Sequence, residues 1–208
     1  MLIPFSTICG FLQSSGKQVH GILHIGAHAC EEKNDYNAQG ISDDKIYWVE
    51  GNKEKVLEMR MKGIDKIYCA LVDEVERDVT FYITNNGQSS SILPLETHTS
   101  HYPHIVVSEE RKLKTTTLKA LIESQKIPIE HLNFWNLDIQ GAELSALKGA
   151  AEYLKYADFI YVEVNVEPLY KGCALLPQMD EFLGANGFQR VGMQLVSQGW
   201  GDALYIRV

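Results

Sequence analysis

Asp138 closes a short apolar run, Phe134-Trp135-Asn136-Leu137, and is followed by Ile139-Gln140-Gly141 and then by Ala142-Glu143-Leu144-Ser145-Ala146-Leu147-Lys148, which has helical spacing. A strand therefore hands over to a helix with an acid at the junction. In an open α/β sheet, ligands bind in the crevice beyond the carboxyl ends of the strands, so a carboxylate there is placed for chemistry. The competing reading is a simple helix cap. Two other strand ends carry comparable groups. The run Gly21-Ile22-Leu23-His24-Ile25 ends in Gly26-Ala27-His28, and Ile46-Tyr47-Trp48-Val49 ends in Glu50-Gly51. Gly26 allows a ligand close to the backbone, and a helix start beyond it would offer free N–H groups to an anionic part of that ligand. Glu50 follows Gly26 at close to the ~20 residues that separate a phosphate turn from the ribose-binding acid in dinucleotide folds. A carboxylate at that point accepts hydrogen bonds from both hydroxyls of a ribose. The three strand ends together point to a nucleoside-containing cofactor.

Several reactions lack their residues. Hydride transfer normally needs three glycines in the first turn, and here Gly26 stands alone, with Cys30 four residues on. There is no GxxxxGK[ST] for nucleoside triphosphates and no GxSxG nucleophile elbow. A nucleoside cofactor without phosphates, such as S-adenosylmethionine, fits what is left. The net charge of −8, from 27 acidic and 19 basic residues, supplies no general pull toward phosphate backbones, so nucleic acid is not an expected partner. Cys9, Cys30, Cys69 and Cys173 form no CxxC pair, which suits reduced thiols and a cytoplasmic location. No apolar stretch approaches the ~18 residues of a membrane span. The apolar segment from Leu2 to Leu12 is interrupted by Pro4 and lacks a basic region before it, so it reads as a packing helix and not a signal peptide.

The elements that must position these groups alternate. Strands are expected at 21–25, 45–50, 67–72, 78–84, 134–137 and 158–165, with helices at 31–39, 52–62, 118–124, 142–148 and 175–183 between them. Phe188–Leu195 and Ala203–Val208 would pair as a terminal antiparallel ribbon. No linker or repeat interrupts the series, so 1–208 reads as one domain with residues 1–20 as an N-terminal helical extension. The long irregular stretch from Asn85 through Ser91 to His104 is the place for a functional loop. Its histidines, His98, His101 and His104, have neither helical i, i+4 spacing nor a fixed carboxylate partner, and no metal site is expected from them.

Taken together, His24-Ile25-Gly26-Ala27-His28, Trp48-Val49-Glu50-Gly51-Asn52, and Leu137-Asp138-Ile139-Gln140-Gly141-Ala142-Glu143 with Leu147-Lys148-Gly149-Ala150 resemble the motifs of the FkbM-type S-adenosylmethionine-dependent methyltransferases. Asn86-Gly87-Gln88-Ser89-Ser90-Ser91 is similar to a segment of some members. The resemblance implies a Rossmann-like class I methyltransferase fold: a seven-stranded, mostly parallel sheet with its last strand antiparallel and helices on both faces. It implies S-adenosyl-L-methionine as cofactor, with His24, Gly26, Ala27 and His28 at the methionine end, Glu50 and Gly51 at the ribose, and Leu71, Val72 and Asp73 near the adenine. Asp138 would lie by the reactive methyl. The sequence departs from the family pattern at His24, where an acid is common, at Cys30, where a glycine is, and at Gln140, where a glutamate is frequent. The implied activity is O-methylation of a small-molecule or glycan acceptor. A hydroxyl needs a base to lose its proton, for which Asp138 and Glu163 are the candidates. Gln88, Ser89, Ser90, Gln140 and Asn165 are the candidate acceptor contacts. The alternative is a non-catalytic, methyltransferase-like binding module in a glycan-processing system, since a fold does not fix a function.

Overall fold

The computed structural model describes residues 1–208. Helix α1 (Phe5–Ser14) precedes strand β1 (Ile22–Ile25), helix α2 (Lys33–Ala38), β2 (Ile46–Glu50), α3 (Lys53–Met61), β3 (Ile67–Cys69), β4 (Leu71–Val72) and β5 (Asp78–Thr84). The short helix α4 (His98–His101), β6 (Val107–Thr116), α5 (Leu118–Gln125), β7 (Phe134–Leu137), α6 (Glu143–Lys148), β8 (Phe159–Asn165), α7 (Leu176–Ala185), β9 (Phe188–Leu195) and β10 (Trp200–Arg207) complete the chain.

Seven strands form the main sheet in the order β3-β2-β1-β7-β8-β10-β9. β1 pairs in parallel with β2 and β7, β7 with β8, and β2 with β3. β10 runs antiparallel to both β8 and β9. This is the arrangement expected from the resemblance, with the last strand inserted as the one reversed member. The strand order turns back between β1 and β7, so the ends of β1, β2 and β7 open onto one crevice.

Strands buried on both faces read as near-continuous apolar runs, and their alternate residues feed two cores. Leu23, Ile25, Val49, Trp135, Leu137, Ile160 and Val162 pack beneath α5, α6 and α7. Ile22, Trp48, Phe134, Phe159 and Tyr161 pack on the opposite face with Phe5, Ile8 and Leu12 of α1. The N-terminal helix is thus part of the second core. Its lead-in is tied to strands β8 and β10, because the Leu2 amide donates to Asp202 and the Ile3 amide to the Tyr161 hydroxyl.

The expected single strand over 67–72 divides. β3 extends the main sheet, whereas β4 joins β6 and β5 in a separate three-stranded sheet of order β4-β6-β5. Apolar content cannot reveal this break, since Ile67 to Val72 stays β-prone throughout while its hydrogen-bonding partner changes at Ala70. The segment 151–156 is a 3-10 helix and not the end of α6. No helix is long and apolar enough to cross a membrane, and all four cysteines are free thiols.

Candidate active site

The turn after β1 is built around Gly26. Its φ is +92°, and a Cβ there would lie 1.7 Å from the Asp138 carbonyl oxygen, so only glycine fits between the two strand ends. The loop then coils through His28 (φ +42°) and Cys30 (φ +53°), both left-handed. Cys30 therefore takes the backbone conformation a glycine would supply, at the position where the family often has one. The amides expected to be free beyond Gly26 are occupied. Gly26 and Ala27 donate to the Val49 carbonyl, His28 to Glu50 Oε2 at 2.8 Å, and Ala29 to Glu31 Oε2 at 3.1 Å. Glu50 is held from its other side by the Asn52 amide, 2.6 Å from Oε1. Burial raises the Glu50 carboxyl above the usual range, opposed by the amides of Asn52 and His28.

A narrow cleft of about 60 Å³ lies over this turn. Gly26, Glu50, Gly51 and Asp138 supply its backbone and polar edge, and Leu71, Val72, Phe81 and Ile139 its apolar wall. The donor set fits a nucleoside. One anchored carboxylate can accept from a diol, and a slot of aliphatic and aromatic side chains suits a flat base. A Cβ at Gly51 would come within 2.3 Å of Leu71 Cδ2, so a larger residue there would have to displace the Leu71 side chain.

Beyond β7, Gln140 (φ +59°) and Gly141 (φ +98°) form the tight turn. No side chain caps α6; Glu143 instead ties the turn ahead of it, its carboxylate accepting from the Ile139 amide at 2.9 Å and from the Gly141 amide at 3.0 Å. Burial raises the Glu143 carboxyl to about 7. Asp138 makes no helix cap. It faces the crevice, where its Oδ1 accepts from Gln140 Nε2 at 2.6 Å. The same nitrogen donates to Glu163 Oε2 at 2.7 Å, and the Tyr170 hydroxyl donates to Gln140 Oε1. Both amide hydrogens of Gln140 are thereby spent on carboxylates, so the side chain offered above as an acceptor contact acts instead as the clamp between two acids. The Asp138 side chain is open to the crevice, yet the protein around it takes part of the solvent from its carboxyl and the Asp202 charge adds to that effect. Together they push its carboxyl up to about 6 despite the Gln140 bond. Glu163 is buried, lies directly across from Asp202 in the β8–β10 pairing, and is raised well above the usual carboxylate range by burial and then by the charge of Asp138. Two acids so close hold one proton between them most readily.

A second, wider cleft of about 460 Å³ adjoins the first and shares Gly26, His28, Gln88 and Asp138 with it. Ser89, Gln140 and Glu163 line the wider cleft only, and Ser90 only the narrower one. Four candidates lie elsewhere. Strand alternation turns His24 into the α1 core, where its Nδ1 meets the Tyr36 hydroxyl at 3.0 Å and its ring packs on Trp48. Ala27 is buried in that same core. Asp73 binds Arg77 Nε at 2.6 Å and the Glu74 amide at 2.8 Å. Asn165, fully buried at the end of β8, lines neither cleft and leaves its Oδ1 without a partner.

The sequence reading did not find Glu31, Glu32, Tyr102 or Trp200, all on the wall of the wider cleft. They come from three distant segments with no shared spacing. His98 and His101 do not act together. His98 is buried with Nδ1 unpartnered, while His101 Nε2 lies 3.2 Å from Glu167.

No curated protein matches the chain. Among solved structures it is similar to magnesium protoporphyrin IX methyltransferase (ChlM) from Synechocystis PCC 6803 with bound SAM, at 12% identity over 98% of this chain and 77% of that one, with a TM-score of 0.48. It is also similar to a SAM dependent methyltransferase from Aquifex aeolicus, at 14% identity over 99% and 90% with a TM-score of 0.46. A third likeness is to Aeropyrum pernix fibrillarin in complex with S-adenosyl-L-methionine, at 11% identity over 90% and 66% with a TM-score of 0.46. The model of the methyltransferase FkbM domain matches residues 24–190, from the buried His24 of β1 to β9, and the chain belongs to that family of S-adenosylmethionine-dependent methyltransferases.

Proposed function

We propose that the protein methylates a hydroxyl, most naturally of a sugar or glycan, with Asp138 as the base. The observation that carries this reading is the place of Asp138 on the one wall common to both clefts, with its carboxylate pinned by Gln140. Bound in the narrower cleft, S-adenosylmethionine supplies a methyl group activated on a sulfonium. Glu50 would hold the ribose, and Leu71, Val72 and Phe81 the adenine.

What remains for the chain's own residues is alignment and proton removal. An alcohol does not ionise unaided at neutral pH, so its proton must go to a base within hydrogen-bond reach as the new O–C bond forms. An ordinary aspartate is a weak base. Raised to about 6, Asp138 is a stronger one and is still ionised at neutral pH. Glu163 keeps the shared proton, and the Gln140 amide fixes which Asp138 oxygen stays open to the acceptor. Polar side chains of the loop, Gln88 and Ser89, suit a polyol at the same wall.

The test is Asp138→Asn, read by labelled methyl transfer. Turnover is expected to fall by roughly 10² to 10⁴, the range for a lost general base, with cofactor affinity little changed. Near-normal turnover in that variant removes Asp138 from the base role.

A further inference from the structure

His98 is a buried polar side chain of the wider cleft that neither the fold nor the proton transfer uses. It lines that cleft at the start of α4 and is only 3% exposed. Backbone bonds fix its place: the His98 amide donates to the Leu169 carbonyl at 3.3 Å, and the His98 carbonyl accepts from the Tyr102 amide at 2.8 Å. Its ring packs against Tyr102, with 5.0 Å between centroids, and against Tyr170 at 5.5 Å. Both tyrosine hydroxyls are engaged elsewhere, that of Tyr102 with the Trp200 indole N–H and that of Tyr170 with Gln140. The imidazole is therefore firmly held, yet Nδ1 is sealed from solvent with no partner. Nε2 has no protein partner either, but it is not sealed.

Enclosed polar atoms in proteins are nearly always paired, so this one needs a reason. Packing does not supply it, because a phenylalanine of the same shape would fill the space without stranding a nitrogen. Burial lowers the imidazole, and His101 and His104 lower it further, so the ring is neutral at pH 7. A neutral imidazole carries one N–H. On Nδ1 that hydrogen would be enclosed with nothing to receive it, the costlier arrangement, so it belongs on Nε2. His98 is thus a fixed, uncharged donor at the cleft with no protein group to donate to. Its neighbours on the wall cannot replace it. Gln140 spends its amide hydrogens on Asp138 and Glu163, and Trp200 spends its N–H on Tyr102. Contacts run from the His98 ring to Tyr170, then to Gln140 and Asp138, so this donor and the base belong to one packed group.

We infer that His98 is a specificity-determining contact of the acceptor, donating its Nε2 hydrogen to a second hydroxyl oxygen of the molecule that is methylated beside Asp138. The inference rests on the hydroxyl-methylation reading above and names a residue that selects among polyols.

His98→Phe keeps an aromatic ring and removes both nitrogens. The full chain is assayed with labelled cofactor on a methyl hexopyranoside and its monodeoxy analogues. The variant is expected to melt no lower than the parent and to bind cofactor equally by calorimetry, while kcat/KM for the hexoside falls about tenfold, as one lost hydrogen bond allows. With the parent, one analogue that still carries the methylated hydroxyl should lose about tenfold against the full hexoside. With His98→Phe that loss should shrink to within about twofold, the sign of a direct contact. Turnover of the hexoside by the variant within about twofold of the parent, an equal loss on that analogue in both proteins, or melting several degrees lower overturns the inference and leaves hydroxyl methylation standing. Transfer by the parent to none of these probes while the cofactor binds overturns the hydroxyl reading and the inference with it.

Discussion

The two clefts that meet at Asp138 are built in different ways. The narrower one takes its backbone and polar edge from three turns, Gly26 to His28, Glu50 and Gly51, and Asp138 to Ala142, each at the end of a strand of the parallel sheet, and is closed by residues 70–72, Phe81 and the loop 87–92. Its geometry is set by backbone. Gly26 fits against the Asp138 carbonyl, and Glu50 is fastened by two amides. The wider cleft is assembled from side chains of residues as far apart as Glu32, Tyr102, Glu163 and Trp200. A site made by backbone turns suits a cofactor that never changes, whereas one made by side chains on loops can be altered for each acceptor without disturbing the sheet.

Three experiments can break or sharpen that contrast. Gly26→Ala carries the largest expected effect, because it forces a Cβ into the Asp138 carbonyl at a positive φ and so parts the two strand ends both clefts share. Unfolding in denaturant should show a loss of more than about 4 kcal/mol, with cofactor and acceptor binding lost together. Stability within about 1 kcal/mol of the parent would mean that the turn is not the joint of the site.

Glu50→Ala comes next and should separate the clefts. Losing an anchored carboxylate from the ribose end is expected to weaken cofactor binding by roughly 10- to 100-fold, with the acceptor KM held at saturating cofactor. An equal rise in the acceptor KM would show the two clefts to be one energetic unit.

The smallest effect concerns the buried acids between the clefts. Glu143, raised to about 7, and Glu163, raised well above the usual carboxylate range, keep protons in the folded protein that they release in the unfolded chain near pH 4.5. Between those values the folded state binds more protons than the unfolded, so stability falls as pH rises. Melting should accordingly occur roughly 5 °C higher at pH 5 than at pH 8. Glu163→Gln should flatten that slope, and an unchanged slope would place the proton elsewhere.

Legibility in the sequence followed the same division. Gly26, Glu50 and Asp138 were visible because each requirement is local: an apolar run, an abrupt end, a residue type suited to the turn. The parallel sheet and its antiparallel ribbon were visible for the same reason, since periodicity reports which faces are buried. The error at 67–72 had the opposite origin. Nothing in Ile67-Tyr68-Cys69-Ala70-Leu71-Val72 says that its two halves pair with different sheets, because hydrogen-bonding partners lie far away in the chain.

His24 and Gln140 show the limit at single residues. His24 stands inside a motif, yet the two-residue period of its strand turns it into the α1 core beside Tyr36 and Trp48. Gln140 stands where an acceptor contact was expected, but its amide is consumed by Asp138 and Glu163, a pairing across two strands. The sequence by itself determined the strand ends, their glycines and the acids that follow them, because those depend on neighbours in the chain. Only the tertiary structure decided that Asp138 and Glu163 share a clamp and that Glu31 and Glu32 face them across a second cleft. Electrostatic coupling depends on distance in space, and the spacing of residues along the chain does not encode it.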